Sequence, residues 1–212
     1  MFAKFQLLGV LASAALLVSV SGSPVVARTC DTSGAVMDLP SGQTALVSPT
    51  TAPLFVLLGV GVQNYSCSST TSIYAPPEFA SIQTTAFDAW SAAPAGTTAT
   101  SIGSTVSAPD LLGFHYFVPS PSGTGISPMW DFTSTGSFAG DSSAFVIGAK
   151  VGDIAAPTDP ATNVDWLALN NVQGSLASKI FRIDTVGGQP PTSCVPGSAP
   201  ISVKYTAKYF LY

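Results

Sequence analysis

Charge is scarce in this chain. Lys and Arg number seven and Asp and Glu eleven, together 8% of 212 residues, for a net charge of −4. Nucleic-acid binding draws on clustered cations that displace counterions, so so few of them argue against such a partner. There is one histidine, His115, and one glutamate, Glu78, which leaves little for acid–base catalysis. The three cysteines, Cys30, Cys67 and Cys194, have no second Cys or His at metal-ligand spacing, so no metal site is expected. Past the first twenty residues no apolar run reaches the ~20 residues that a membrane span needs.

What is there begins with a tripartite N-terminus. Lys4 precedes an apolar stretch from Leu7 to Val20 and then the small residues "SGSPVVA". That pattern predicts a secretory signal over 1–22, with cleavage as late as residue 27, and a protein that is extracellular or cell-wall associated. The remainder, 28–212, is the size of one domain, with no internal repeat. In an oxidising compartment one cysteine pair should close. Cys30–Cys194 would join the two ends of the domain and stabilise it by ~4 kcal/mol through loop closure, and Cys67–Cys194 is the alternative pair. Asn64-Tyr65-Ser66 is the one glycosylation sequon, which predicts that Asn64 reaches the surface.

Alternation dominates the rest. From Leu54 to Val62 apolar residues fill both phases, the mark of a strand covered on both faces and lying centrally. "ISVKYTAKYFLY" puts Ile201, Val203, Tyr205, Ala207, Tyr209 and Leu211 on one face. "SKIFRIDTV" alternates too, which predicts Phe181 and Ile183 inward and Arg182 and Asp184 outward. "GFHYFV", "MWDF", "SAFVIGAKV" and "VDWLALNNV" are shorter strands between turn residues. One segment differs: Phe79, Ile82, Ala86 and Trp90 recur at helical spacing between prolines, which predicts one short helix. The expected fold is mainly β, a single antiparallel β-sandwich or barrel-like domain with one short helix.

Gly59-Val60-Gly61 is the nearest approach to a cofactor motif. A dinucleotide site needs a third glycine three residues on, then a helix, and here Asn64 and a cysteine follow. No cofactor is expected. Gly59 and Gly61 share a strand face and are read as admitting a bulky neighbour or a bulge.

Taken together, "MDLPSGQTALVSPTTAP", "LGVGVQNYSC", "HYF", "GISPMWDF", "VIGAKVGDIAAP", "VDWLALNNVQGSLASKIFRIDTVGGQPPTSC" and "ISVKYTAKY" resemble, in order, the secreted fungal family called domain of unknown function 3455. The resemblance implies no agreed activity. Some members carry the label malate dehydrogenase, which the failed dinucleotide reading gives no reason to accept. Members commonly have a further cysteine soon after the "QNYSC"-like element. This chain lacks it, and that departure favours Cys67 as the odd thiol.

Candidate chemistry is thin. A hydrolase would use His115 as base with Asp131, although no G-x-S-x-G elbow supplies a nucleophile. The blander reading packs His115 beside Phe114, Tyr116 and Phe117 with a hydrogen bond to backbone. Asp131 and Asp165 each neighbour a tryptophan, as sugar-contacting aspartates often do. Arg182 and Lys150 lie in strands, where a cation facing a pocket would meet a ligand anion and one facing water would solubilise an edge. The composition points first to a non-enzymatic binder of a small apolar or aromatic molecule, such as a pigment or phenolic metabolite, held by His115, Tyr116, Trp130, Lys150 and Trp166. The alternative partner is a cell-wall glycan, which would require Trp130 and Trp166 exposed and coplanar.

Overall fold

A computed structural model describes residues 31–68, 70, 72, 74–75, 84–88 and 111–212. The expected signal segment, Cys30, Glu78 and Trp90 lie outside them. Among the described residues there is no α-helix, and no helix long and apolar enough to cross a membrane. The nine strands are β1 (Phe55–Cys67), β2 (Tyr74–Ala75), β3 (Thr84–Asp88), β4 (Leu111–Pro119), β5 (Ile126–Asp131), β6 (Phe145–Ile154), β7 (Trp166–Gly174), β8 (Lys179–Gly187) and β9 (Ile201–Leu211). Every pairing is antiparallel, and each strand motif read from the sequence overlaps one of these strands.

Seven long strands run β4-β5-β6-β7-β8-β9-β1 as a nearly closed, barrel-like sheet, and β3 pairs with both β1 and β4 across the remaining gap. Here the helix expectation fails. Thr84–Asp88 is extended, and the rest of the predicted helix lies outside the described residues. Two β-strand edges offer this segment backbone partners on both sides, and that demand outweighs a weak helical period.

Both faces of the sheet are covered, as the doubly apolar β1 requires. Inside, Leu57, Trp130, Phe132, Val146, Leu169, Ile180, Tyr205, Ala207, Tyr209 and Leu211 form one cluster. Outside, Val56, Trp166, Ala168, Phe181, Ile183, Phe210 and Tyr212 form a second. The chain before β1 roofs this outer cluster with Ala35, Met37 and Leu46. The Gln43 side chain clips that segment by donating to the Leu46 carbonyl and accepting from its N–H, each at 2.8 Å.

Three expectations are corrected by this arrangement. Phe181 and Ile183 belong to the outer cluster, so Arg182 between them faces the interior with Ile180. Alternation separates two faces without saying which one a barrel encloses. Asp184 does not share the face of Arg182: a bulge between Ile183 and Val186, with Asp184 at φ +50°, turns its carboxylate onto Lys208 at 2.7 Å. The disulfide joins Cys67 to Cys194, the end of β1 to the β8–β9 connection, so Cys67 is not the odd thiol and Cys30–Cys194 does not form. Barrel closure brings these distant residues together, and no local pattern announces it.

Candidate functional site

The β4–β5 hairpin sets the centre of the interior. His115 and Trp130 are register partners, and their rings stack at 4.3 Å with an interplanar angle of 18°. The Tyr209 ring meets both edge-on, 5.2 Å from His115 and 5.4 Å from Trp130. Glycines make room for these rings. A Cβ on Gly59 would lie 2.6 Å from the Tyr209 ring, one on Gly148 would lie 3.3 Å from Trp130, and one on Gly113 would lie 2.2 Å from Phe132. Gly59 therefore admits a bulky neighbour, as its strand position suggested.

His115 is buried, and its Nδ1 lies 2.8 Å from the Met129 carbonyl. A carbonyl only accepts, so Nδ1 carries a proton. Burial pushes its pKa down to about 3, opposed by the Met129 hydrogen bond and assisted by the Arg182 charge. Such a ring is a poor base near neutral pH. It packs against Phe117, Trp130 and Tyr209, whereas Phe114 and Tyr116 alternate onto the other face.

Asp131 does not join it. Its register partner is Phe114, so it lies on the opposite face, where it accepts from Tyr116 Oη at 2.7 Å and from the Thr133 hydroxyl and amide. Burial works to raise the Asp131 pKa, but the bonds from Thr133 and Tyr116 outweigh it and hold the carboxyl below its usual value. Burial and the same contact push Tyr116 up to about 12. The proposed His115–Asp131 dyad is thus split by the sheet, and Tyr116 leaves the set of interior candidates.

Beside the stacked rings lies a cavity of about 480 Å³, lined by His115, Phe117, Ile126, Pro128, Trp130, Ala149, Lys150, Leu167, Leu169, Arg182 and Tyr209. Lys150 is at its rim: the side chain is 58% exposed and its ammonium pairs with Asp153. Arg182 comes from the β8 wall, with Nε and Nη2 donating to the Asp165 carbonyl at 3.1 and 2.8 Å. Tyr209 Oη and Tyr205 Oη lie 2.7 Å apart, and burial raises the pKa of both. Trp166 is elsewhere. It is 7% exposed under the outer roof while Trp130 is 1% exposed inside, so these two indoles make no exposed coplanar platform for a sugar. Asn64 lies within β1, half-buried, with its Oδ1 accepting from Ser202 Oγ at 2.6 Å.

Of the residues singled out from the sequence, His115, Trp130 and Lys150 meet at this cavity. Phe117, Leu167, Leu169 and Tyr209 were not foreseen there, and Arg182, weighed as a pocket cation, was expected to face outward. The signal was available in part, since Tyr209 sits on a strand whose alternation is clear and Gly59 was read as admitting a bulky neighbour.

The profile of a family described as protein of unknown function (DUF3455) matches residues 48–212, which include all nine strands. The chain belongs to the DUF3455 family. Its matched region carries the barrel and the cavity, whereas most of the outer roof precedes it. No curated protein and no solved structure matches the chain.

Proposed function

We propose that this DUF3455 protein is an exported, non-catalytic binder of a small apolar or aromatic molecule. The cavity carries this reading: about 480 Å³ bordered by aromatic and aliphatic side chains, within the size range of small-molecule sites. The only histidine is held neutral far below its usual pKa, and Asp131, the carboxylate it was to act with, lies on the other face, which favours holding over transforming. Export is supported by the signal-like N-terminus and by a disulfide, a bond that persists in oxidising compartments.

Titration with N-phenyl-1-naphthylamine, a neutral fluorescent probe, tests the reading. One saturable site is expected in the wild type. Leu167→Trp fills the interior from the β7 wall and should abolish that site while the thermal midpoint stays near the wild-type value. Absence of saturable binding to the folded wild type, or full binding by Leu167→Trp, overturns the proposal.

A further inference from the structure

Within a cavity lined mostly by apolar side chains, Arg182 stands out. It is half-buried on the interior face of β8, and no carboxylate among the described residues lies within ion-pair distance of it. Asp153, in the same cross-strand row through Leu167, is held by Lys150, and the other described interior positions offer hydroxyls, rings and a neutral imidazole. The Lys150 ammonium at the rim, by contrast, already has Asp153. The charge of Arg182 is felt at His115, Tyr65, Tyr205 and Tyr209, which places the guanidinium among the interior rings.

Its hydrogen bonds are asymmetric. Nε and Nη2 both point at the single carbonyl of Asp165, so one side of the planar fork is anchored. The end of the fork, Nη1 with the second Nη2 hydrogen, has no acceptor among the described residues. A guanidinium end presents two parallel N–H groups at the spacing of a carboxylate's oxygens. Taking a cation partly out of water is unfavourable unless an anion and hydrogen bonds offset it. On β5, which also lines the cavity, the indole N–H of Trp130 is buried with no acceptor among the described residues.

We propose that the cavity takes an apolar carboxylic acid, its hydrocarbon or aromatic body against Trp130, His115 and Leu167 and its carboxylate on the open end of the Arg182 guanidinium. This inference rests on the reading that the cavity binds a small apolar molecule and narrows it to one chemical class. Anchoring by the Asp165 carbonyl fixes the fork before the ligand arrives, so little order is lost on binding.

The test compares 2-naphthoate with its neutral isostere 2-naphthamide by isothermal titration calorimetry. Wild type should prefer the naphthoate by about tenfold or more, the worth of a charge-assisted hydrogen bond. Arg182→Gln should erase that preference while retaining the amide, and Lys208→Gln on the outer face should keep it. Equal affinities in the wild type overturn the Arg182 assignment and leave the cavity reading standing. Binding of neither compound defeats both. A preference that follows Lys150→Gln instead of Arg182→Gln moves the anion to the rim and overturns the assignment. If Arg182→Gln does not fold, the wild-type preference and its loss in Arg182→Leu or weakening in Arg182→Lys decide the matter.

Discussion

Trp130 and Trp166 sit on opposite sides of one barrel wall, both buried, and their surroundings differ in kind. Trp166, the first residue of β7, lies under a roof of Ala35, Met37 and Leu46 in the cluster that holds Phe181 of β8 and Phe210 of β9. Trp130 faces the interior, stacked on His115, with open space beside it and its N–H unpaired among the described residues. Two apolar clusters thus share a sheet. The outer one is closed by a segment with no regular strand of its own, and the inner one borders a cavity ringed by a few polar atoms. Burial alone does not separate a structural indole from a site indole; the difference is whether the neighbours close over it.

The largest expected effect tests that division directly. Trp166→Ala should lower unfolding free energy in urea by ~3–5 kcal/mol, the usual range for truncating a buried tryptophan. It should leave N-phenyl-1-naphthylamine affinity nearly unchanged, whereas Trp130→Ala should reduce both. If Trp166→Ala weakens the probe as much as Trp130→Ala does, the faces are coupled and the comparison fails.

A second effect belongs to the interior alone. His115 titrates near 6.5 when unfolded and at about 3 when folded, so between those values the unfolded chain binds the extra proton. Its contribution is fully present above pH 6.5 and is lost as pH falls toward 3, at ~1.4 kcal/mol per pH unit. Asp131, with a lowered pKa, loses its contribution only below its unfolded value of 3.8. Urea midpoints from pH 7 to 4 should therefore fall in the wild type and flatten in His115→Gln. An unchanged slope in that variant would mean that the ring is not held neutral by burial.

The smallest effect sharpens the outer side. A Cβ on Gly152 would come within 2.3 Å of the Ala45 carbonyl, so Gly152→Ala must push the roof outward. A loss of ~1–3 kcal/mol is expected, with faster hydrogen exchange confined to 35–46 and probe affinity retained. Protected amides in 35–46 would show that the roof does not rest on β6 there.

Much of this was legible. The doubly apolar β1 is paired on both edges, β9 carries its even alternation, and His115 sits in an aromatic core with a backbone hydrogen bond. The rest depends on three-dimensional closure. Phe181 and Ile183 are as apolar as any interior pair, and only the roof makes their face the outer one and gives Arg182 to the cavity. The Thr84–Asp88 strand answers to edges contributed by β1 and β4, and the β-branched Thr84 and Thr85 favour the extended state. Cys67 meets Cys194 because β1 ends beside the approach to β9.

The zipper between β1 and β9 runs through eleven consecutive residue pairs, Phe55 with Leu211 to Tyr65 with Ile201. The opening strand must therefore wait, through synthesis of everything in between, for a mate far along the chain. Contacts so distant along the chain slow folding and expose raw hydrogen-bonding margins in the interim. A stalled or clipped polypeptide lacking β9 would present two sticky borders, on β1 and on β8, and self-association is its natural fate.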